Sequence, residues 1–123
     1  MNILLIAIGG AIGSVARYSF SLLMYRFGPP LFPVGTFAVN LVGCVAFGAV
    51  AGLAQQRNVF GPETRAFLLI GLLGGFTTFS TFAFESLQLL RDGQFSLAAV
   101  NIVGQVVVGI VGLWAGFAIA GGL

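Results

Sequence analysis

The chain has 123 residues, 59% of them hydrophobic and 7% charged, against about 25% charge in a soluble domain. Three acids, five arginines, no lysine and no histidine exclude a water-soluble globule, a disordered segment and a histidine-based catalyst or metal site. The single Cys44 excludes an internal disulfide or CxxC pair, and a net charge of +2 without a lysine cluster gives no basis for nucleic-acid binding. What remains is a small polytopic membrane protein and not an enzyme.

A hydrocarbon core of ~30 Å takes about 20 helical residues. Five spans would leave almost nothing for loops, whereas four leave roughly 35–40 residues for turns and ends. The polar punctuation supports four. The first span is expected over about residues 3–25, ending at Arg26-Phe27-Gly28-Pro29-Pro30. The second runs over about 34–54 and ends at Gln55-Gln56-Arg57-Asn58. Gly61-Pro62-Glu63-Thr64-Arg65 leads into the third, about 66–89, and Arg91-Asp92-Gly93-Gln94 turns into the fourth, about 95–120. The Met1 end is apolar but has no basic leader and no small-x-small cleavage site, so it reads as a retained span.

Each span holds a Gly-xxx-Gly pair: Gly9/Gly13, Gly48/Gly52, Gly71/Gly75 and Gly112/Gly116. Small residues at this spacing let helices approach closely in lipid, so the pairs read as a tight bundle. The loop charges balance. Arg26 and Arg91 fall on one side; Arg57 and Arg65 fall on the other. Basic loop residues set orientation, and two against two sets none. The sequence then fits either an ordinary protein with a weak signal or one that inserts both ways and pairs antiparallel.

Polar residues inside spans are functional candidates. At ~1.5 Å per residue, Asn40 lies roughly 9 Å in from the side holding the first and third loops, Asn101 and Gln105 roughly 9 and 15 Å, and Phe82 and Phe79 roughly 10 and 15 Å. Ser80 and Thr81 sit beside the phenylalanines, and Asn101 and Gln105 share a helix face. These groups line one pathway, or they join helices by hydrogen bonds. Arg17 and Glu85 lie inside spans near the same side, where they snorkel or meet in a vestibule. No acid lies at mid-membrane.

Gly74-Gly75-Phe76-Thr77-Thr78-Phe79-Ser80-Thr81-Phe82 falls at the middle of the third span. Paired glycines followed by hydroxyl residues weaken a helix. A break there would free carbonyls for a Na⁺-like ion, and in an antiparallel pair two breaks would meet on the axis. The alternative is an unbroken, glycine-rich packing helix. Phe79 and Phe82, three apart, either turn positive ring edges to an anion or pack in the core and against lipid.

Three segments carry a family resemblance. Gly10-Ala11-Ile12-Gly13-Ser14-Val15-Ala16-Arg17-Tyr18, Gly35-Thr36-Phe37-Ala38-Val39-Asn40-Leu41-Val42-Gly43, and the run from Gly74 through Phe82 to Ala83-Phe84-Glu85 resemble the Fluc/CrcB family of bacterial fluoride channels, in order and over essentially the whole chain. The resemblance implies an all-α membrane protein of four transmembrane helices, the third broken at mid-membrane, assembled as an antiparallel dual-topology homodimer in the bacterial cytoplasmic membrane. It implies passive fluoride export that confers fluoride resistance. Asn40, Phe79, Phe82 and Ser80 match pore residues, with Thr81, Asn101 and Gln105 expected beside them. Gly74 and Thr77 match positions whose backbone carbonyls hold a central Na⁺, and Arg17 and Glu85 match vestibule positions. The fourth-span track departs from the family's usual Tyr or Asn followed by Ser or Thr: it reads Asn101, Gln105, Gly109, and Gly109 offers no side chain.

Two other readings stand beside the channel. A small multidrug-resistance transporter shares four spans and dual topology, but needs a carboxylate in its first span, and this first span has none. In an accessory subunit the polar residues would only join helices.

Overall fold

The computed structural model of the protein describes residues 2–122. Its helices are α1 (Asn2–Tyr25), α2 (Val34–Gly52), α3 (Pro62–Arg65), α4 (Gly74–Phe76), α5 (Phe79–Arg91) and α6 (Phe95–Gly121). Leu53–Arg57 extends α2 as a π-helix, and Ala66–Leu73 joins α3 to α4 in the same form. Taken as continuous stretches, Asn2–Tyr25, Val34–Arg57, Pro62–Arg91 and Phe95–Gly121 are long and apolar enough to cross a membrane.

Local chemistry fixes the ends. Asn58, in the left-handed region at φ 53°, stops the second stretch. Pro62 opens the third at the first helical position, where its missing N–H costs nothing. At the end of α5, Gly93 takes φ 73°. Its N–H donates to Leu90 O at 3.1 Å and the Gln94 N–H to Leu89 O at 2.8 Å, a paired carbonyl cap that favours glycine at the left-handed residue.

Within the third stretch, Thr77 (φ −88°, ψ 157°) and Thr78 (φ −148°, ψ 116°) are extended and link α4 to α5. Thr78 caps α5, its Oγ1 accepting the Thr81 N–H at 3.3 Å.

The helices pack as two close pairs. α1 lies along Ala66–Leu73 and α4, and α2 lies along α6. Without a hydrophobic force between helices in lipid, close contact must come from shape, and the Gly-xxx-Gly pairs supply it. A Cβ on Gly9 would sit 2.8 Å from Phe67 O, and one on Gly75 would sit 2.9 Å from Gly10 O. On the other pair, a Cβ on Gly48 would run into the Leu113 carbonyl, and one on Gly116 into that of Val45. All four pairs are therefore used inside the chain. Most of the buried apolar residues are correspondingly small, Val39, Ala51, Ala54, Ala66, Ala98 and Ala118, beside the larger Leu73, Phe82 and Leu89. Large side chains such as Ile110, Val111 and Trp114 face outward.

Gly48→Val puts a branched side chain against backbone, and overpacking of this kind costs about 1–3 kcal/mol. Unfolding in detergent should shift by that amount. Gly61→Ala, where an added Cβ meets nothing within 4 Å, should leave it unchanged; equal stability of the two variants would contradict the packing.

Candidate functional site

The site is built around the extended Thr77–Thr78 link. Backbone groups that leave a helix in an apolar setting need other partners, and Asn40 of α2 provides them. The Thr78 N–H donates to Asn40 Oδ1 at 2.9 Å, and Asn40 Nδ2 donates to Thr78 O at 3.0 Å. One amide thus satisfies both backbone groups of a single residue.

Beyond Asn40 the hydrogen bonds continue. Asn40 Nδ2 also donates to Gln105 Oε1 at 2.8 Å, and Gln105 Nε2 to Asn101 Oδ1 at 2.9 Å. Asn101 Nδ2 donates to Ser86 Oγ at 2.9 Å, and the Ser86 hydroxyl to Phe82 O at 2.7 Å. A single chain of side chains on α2, α6 and α5 therefore runs from Thr78 to Phe82. Asn101 is fully buried, so it needs this satisfaction.

A cavity of about 320 Å³ opens beside the link, lined among others by Asn40, Thr77, Phe79, Phe82 and Gln105. Its lining contains no charged side chain. Phe79 is 78% exposed and Phe82 only 9%; their ring centroids are 5.6 Å apart at 52°. A second cavity of about 230 Å³ holds Arg17, Thr36, Thr78 and Thr81, so Thr78 borders both. The Thr78 hydroxyl donates to Thr81 Oγ1 at 2.9 Å.

A family profile described as CrcB-like protein, Camphor Resistance (CrcB), matches residues 4–117. The chain belongs to the CrcB family. It is 48% identical over 117 residues to the fluoride-specific ion channel FluC of Methylobacillus flagellatus, covering 94% of this chain and 91% of that one. Proteins of the same name from Nitratidesulfovibrio vulgaris and Phocaeicola vulgatus are each 47% identical over 115 residues, with 94% of this chain and 93% and 94% of theirs covered. With four apolar helices of spanning length, this CrcB chain is a multi-pass membrane protein.

In the CrcB chain, the site residues expected from sequence fall into three groups. Asn40, Phe79, Phe82 and Gln105 meet at the larger cavity, with Asn101 behind Gln105. Thr81 joins Arg17 in the second cavity, while Ser80 is exposed and lines neither. Glu85 borders a third cavity of about 210 Å³ with Tyr25, Gln88 and Asp92. The Tyr25 hydroxyl donates to Glu85 Oε2 at 2.7 Å, and Glu85 Oε1 is buried without a partner. Arg17 and Glu85 are thus not brought to one cavity.

Two findings differ from the sequence reading. The resemblance makes Asn40 a pore residue, yet both its amide hydrogens are committed within the chain, one to Thr78 O and one to Gln105 Oε1. Ser86 has no place in that reading, because a serine one residue past a charged Glu85 resembles ordinary span-end polarity. Its four-residue spacing from Phe82, which lets a serine bond back to a carbonyl, is the signal that finds it.

The carbonyls of Gly74 and Thr77 are the candidates for holding a cation. An uninterrupted helix would give them the N–H groups of Thr78 and Thr81; those donors go instead to Asn40 Oδ1 and Thr78 Oγ1. Among the described residues no cluster of three or more His, Cys, Asp or Glu side chains is positioned for a metal. Neutral carbonyl oxygens suit a Na⁺-like ion, so the residues fit one in kind.

Asn40→Leu leaves the N–H and C=O of Thr78 unsatisfied, at ~1–3 kcal/mol for each group. Equilibrium unfolding in mixed micelles should register a loss of roughly 2–6 kcal/mol on that basis. A loss no larger than that of Val42→Ala, at an exposed α2 position, would remove the clamp.

Proposed function

We propose that this chain is a fluoride-selective ion channel that lets fluoride leave the cell down its electrochemical gradient and so confers resistance to it. The observation that carries this reading is near-full-length identity of 47–48% with bacterial proteins named as fluoride-specific channels. The site supports it. Fluoride is small and strongly hydrated, so a path must replace its water without trapping it. A cavity lined by amide, hydroxyl and aromatic groups, with no charged side chain, offers weak contacts of that kind. In this reading Phe79 and Phe82 turn ring edges, whose hydrogens carry positive charge, toward the ion. Gln105 supplies a polar group at the cavity, Asn40 and Asn101 hold Gln105 in place, and Ser80 and Thr81 lie on the exposed face that a second copy would cover. Arg17 and Glu85 belong to the flanking vestibules.

The working unit in this reading is an antiparallel, dual-topology homodimer in the bacterial cytoplasmic membrane. Two arginines on each side leave insertion unbiased. Ser80, Thr81 and Gly74 are exposed on the single chain, where hydroxyls and a freed carbonyl facing lipid would be costly; a second copy covers them. The third helix is then broken near mid-membrane in each subunit. One chain's two carbonyls are too few to enclose a cation, whereas two chains bring four. Gly74 and Thr77 of both copies would hold Na⁺ on the axis, where it supplies positive charge that an anion path otherwise lacks.

Purified protein in liposomes, read with a fluoride electrode, tests this. Wild type should pass fluoride rapidly and electrogenically, and Na⁺-free medium should suppress the flux. Phe82→Ile should slow it on the order of tenfold, as loss of a contact of ~1.4 kcal/mol would. Flux that requires a proton gradient, or no fluoride flux at all, would overturn the reading.

A further inference from the structure

We propose that Ser86 is a positioning residue for the anion path: from the α5 end it holds the direction of the Asn101–Gln105–Asn40 amide chain, which Thr78 holds from the other end, so that one Gln105 N–H is left facing the cavity. The proposal rests on the channel reading above.

The argument is a count of donors and acceptors. Amide side chains have an oxygen end and a nitrogen end, and crystallographic-type geometry alone does not tell them apart. Here the two ends of the chain do. At one end the Thr78 N–H is a backbone donor, so Asn40 must present Oδ1 to it. Asn40 Nδ2 then has two hydrogens, one for Thr78 O and one for Gln105, and Gln105 must present its oxygen. At the other end Phe82 O is a backbone acceptor, so the Ser86 hydroxyl donates to it and keeps an oxygen lone pair. Asn101 must therefore turn Nδ2 to Ser86 and Oδ1 to Gln105. Both ends demand the same orientation of Gln105. Its Nε2 spends one hydrogen on Asn101 Oδ1, and a primary amide has two.

The second Gln105 hydrogen is the donor left over at the cavity. Asn40, which lines the same cavity, has none remaining. Asn101 is wholly buried and does not line it. Gln105 does, together with Phe79 and Phe82. A small anion at that place would accept the Gln105 N–H and be flanked by ring edges. Ser86 does not itself line the cavity; it bonds the backbone carbonyl of the lining residue Phe82 and reaches Gln105 two hydrogen bonds away, through Asn101. Without its hydroxyl, Asn101 Nδ2 has no acceptor in a fully buried position. Its amide is then free to turn, which would place two donors against each other at Gln105. The orientation of Gln105 is no longer fixed from that side.

Ser86→Ala tests this directly, with Ser86→Thr as the conservative rescue, because a threonine hydroxyl also bonds back to the carbonyl four residues earlier. In liposomes, Ser86→Ala should lower fluoride efflux about tenfold, the scale of one unmade hydrogen bond, and lower the fluoride-to-chloride permeability ratio with it. Ser86→Thr should restore both. Ser86→Cys, similar in volume but a weak acceptor, should behave as Ser86→Ala and serves if the alanine variant does not reconstitute. The side-chain amide resonance of Gln105 in ¹⁵N-labelled protein in bilayers, assigned by its loss in Gln105→Met, should shift in Ser86→Ala and return in Ser86→Thr. Wild-type flux and selectivity in Ser86→Ala, or an unmoved Gln105 resonance, would overturn the proposal. Absence of fluoride flux in the wild type would overturn the channel reading instead, and the Gln105 resonance would still decide the hydrogen-bond chain.

Discussion

The pair of hydrogen bonds between Asn40 and Thr78 is the constraint on which the site depends. Thr77 and Thr78 are extended between α4 and α5, and in an apolar environment the backbone groups released there must find partners or the link would close into helix. The Asn40 amide has the right shape for the task, one acceptor and two donors on a planar head. Its two bonds to Thr78 hold the extended link between α4 and α5, and the cavity lined by Asn40, Thr77, Thr78, Phe79, Phe82 and Gln105 lies beside it. The second donor then ties the link to Gln105, so the geometry of the third stretch and that of α6 are set together.

This arrangement works because the rest of the chain is closely packed. The glycine pairs bring α1 onto Ala66–Leu73 and α4, and α2 onto α6, at backbone contact. Asn40 on α2 and Gln105 on α6 sit on the second of these pairs. Their hydrogen bond at 2.8 Å requires the close approach that Gly48, Gly52 and Gly116 permit. Small residues at helix contacts and amides within them are complementary choices in lipid, where packing and polar bonds replace hydrophobic burial. The poverty of charge noted at the outset is part of the same design. A cavity with no charged side chain needs no counter-ion, and its polarity comes from oriented amides.

Much of this was legible in the sequence, for physical reasons that can be named. Hydropathy and polar punctuation give four membrane helices, because a continuous apolar run of about 20 residues satisfies its own backbone groups in lipid as a helix. Asn40 and Gln105 stand out as polar residues in apolar runs. The glycine pairs announce close packing but not its partners, which only the three-dimensional arrangement assigns. The π-helical stretches at Leu53–Arg57 and Ala66–Leu73 leave no signature in composition. Arg17 and Glu85 look like a pair in sequence depth, yet they border different cavities, Glu85 being held by Tyr25. The commitment of both Asn40 hydrogens was not legible, and of Ser86 only its four-residue spacing from Phe82 was. The Asn40 commitment depends on which backbone groups the extended link exposes, a property of torsion angles rather than of residue types, and the Ser86 bonds depend on how α6 lies against α5.

The central claim is that the Thr77–Thr78 link is extended and held so by Asn40. Solid-state NMR of threonine-labelled protein in lipid bilayers tests it most directly, since ¹³Cα and ¹³Cβ shifts distinguish extended from helical threonine. Thr77 and Thr78 should both give extended-type shifts in the wild type, and Asn40→Leu should move them toward helical values. Helical shifts at both residues in the wild type would contradict the account.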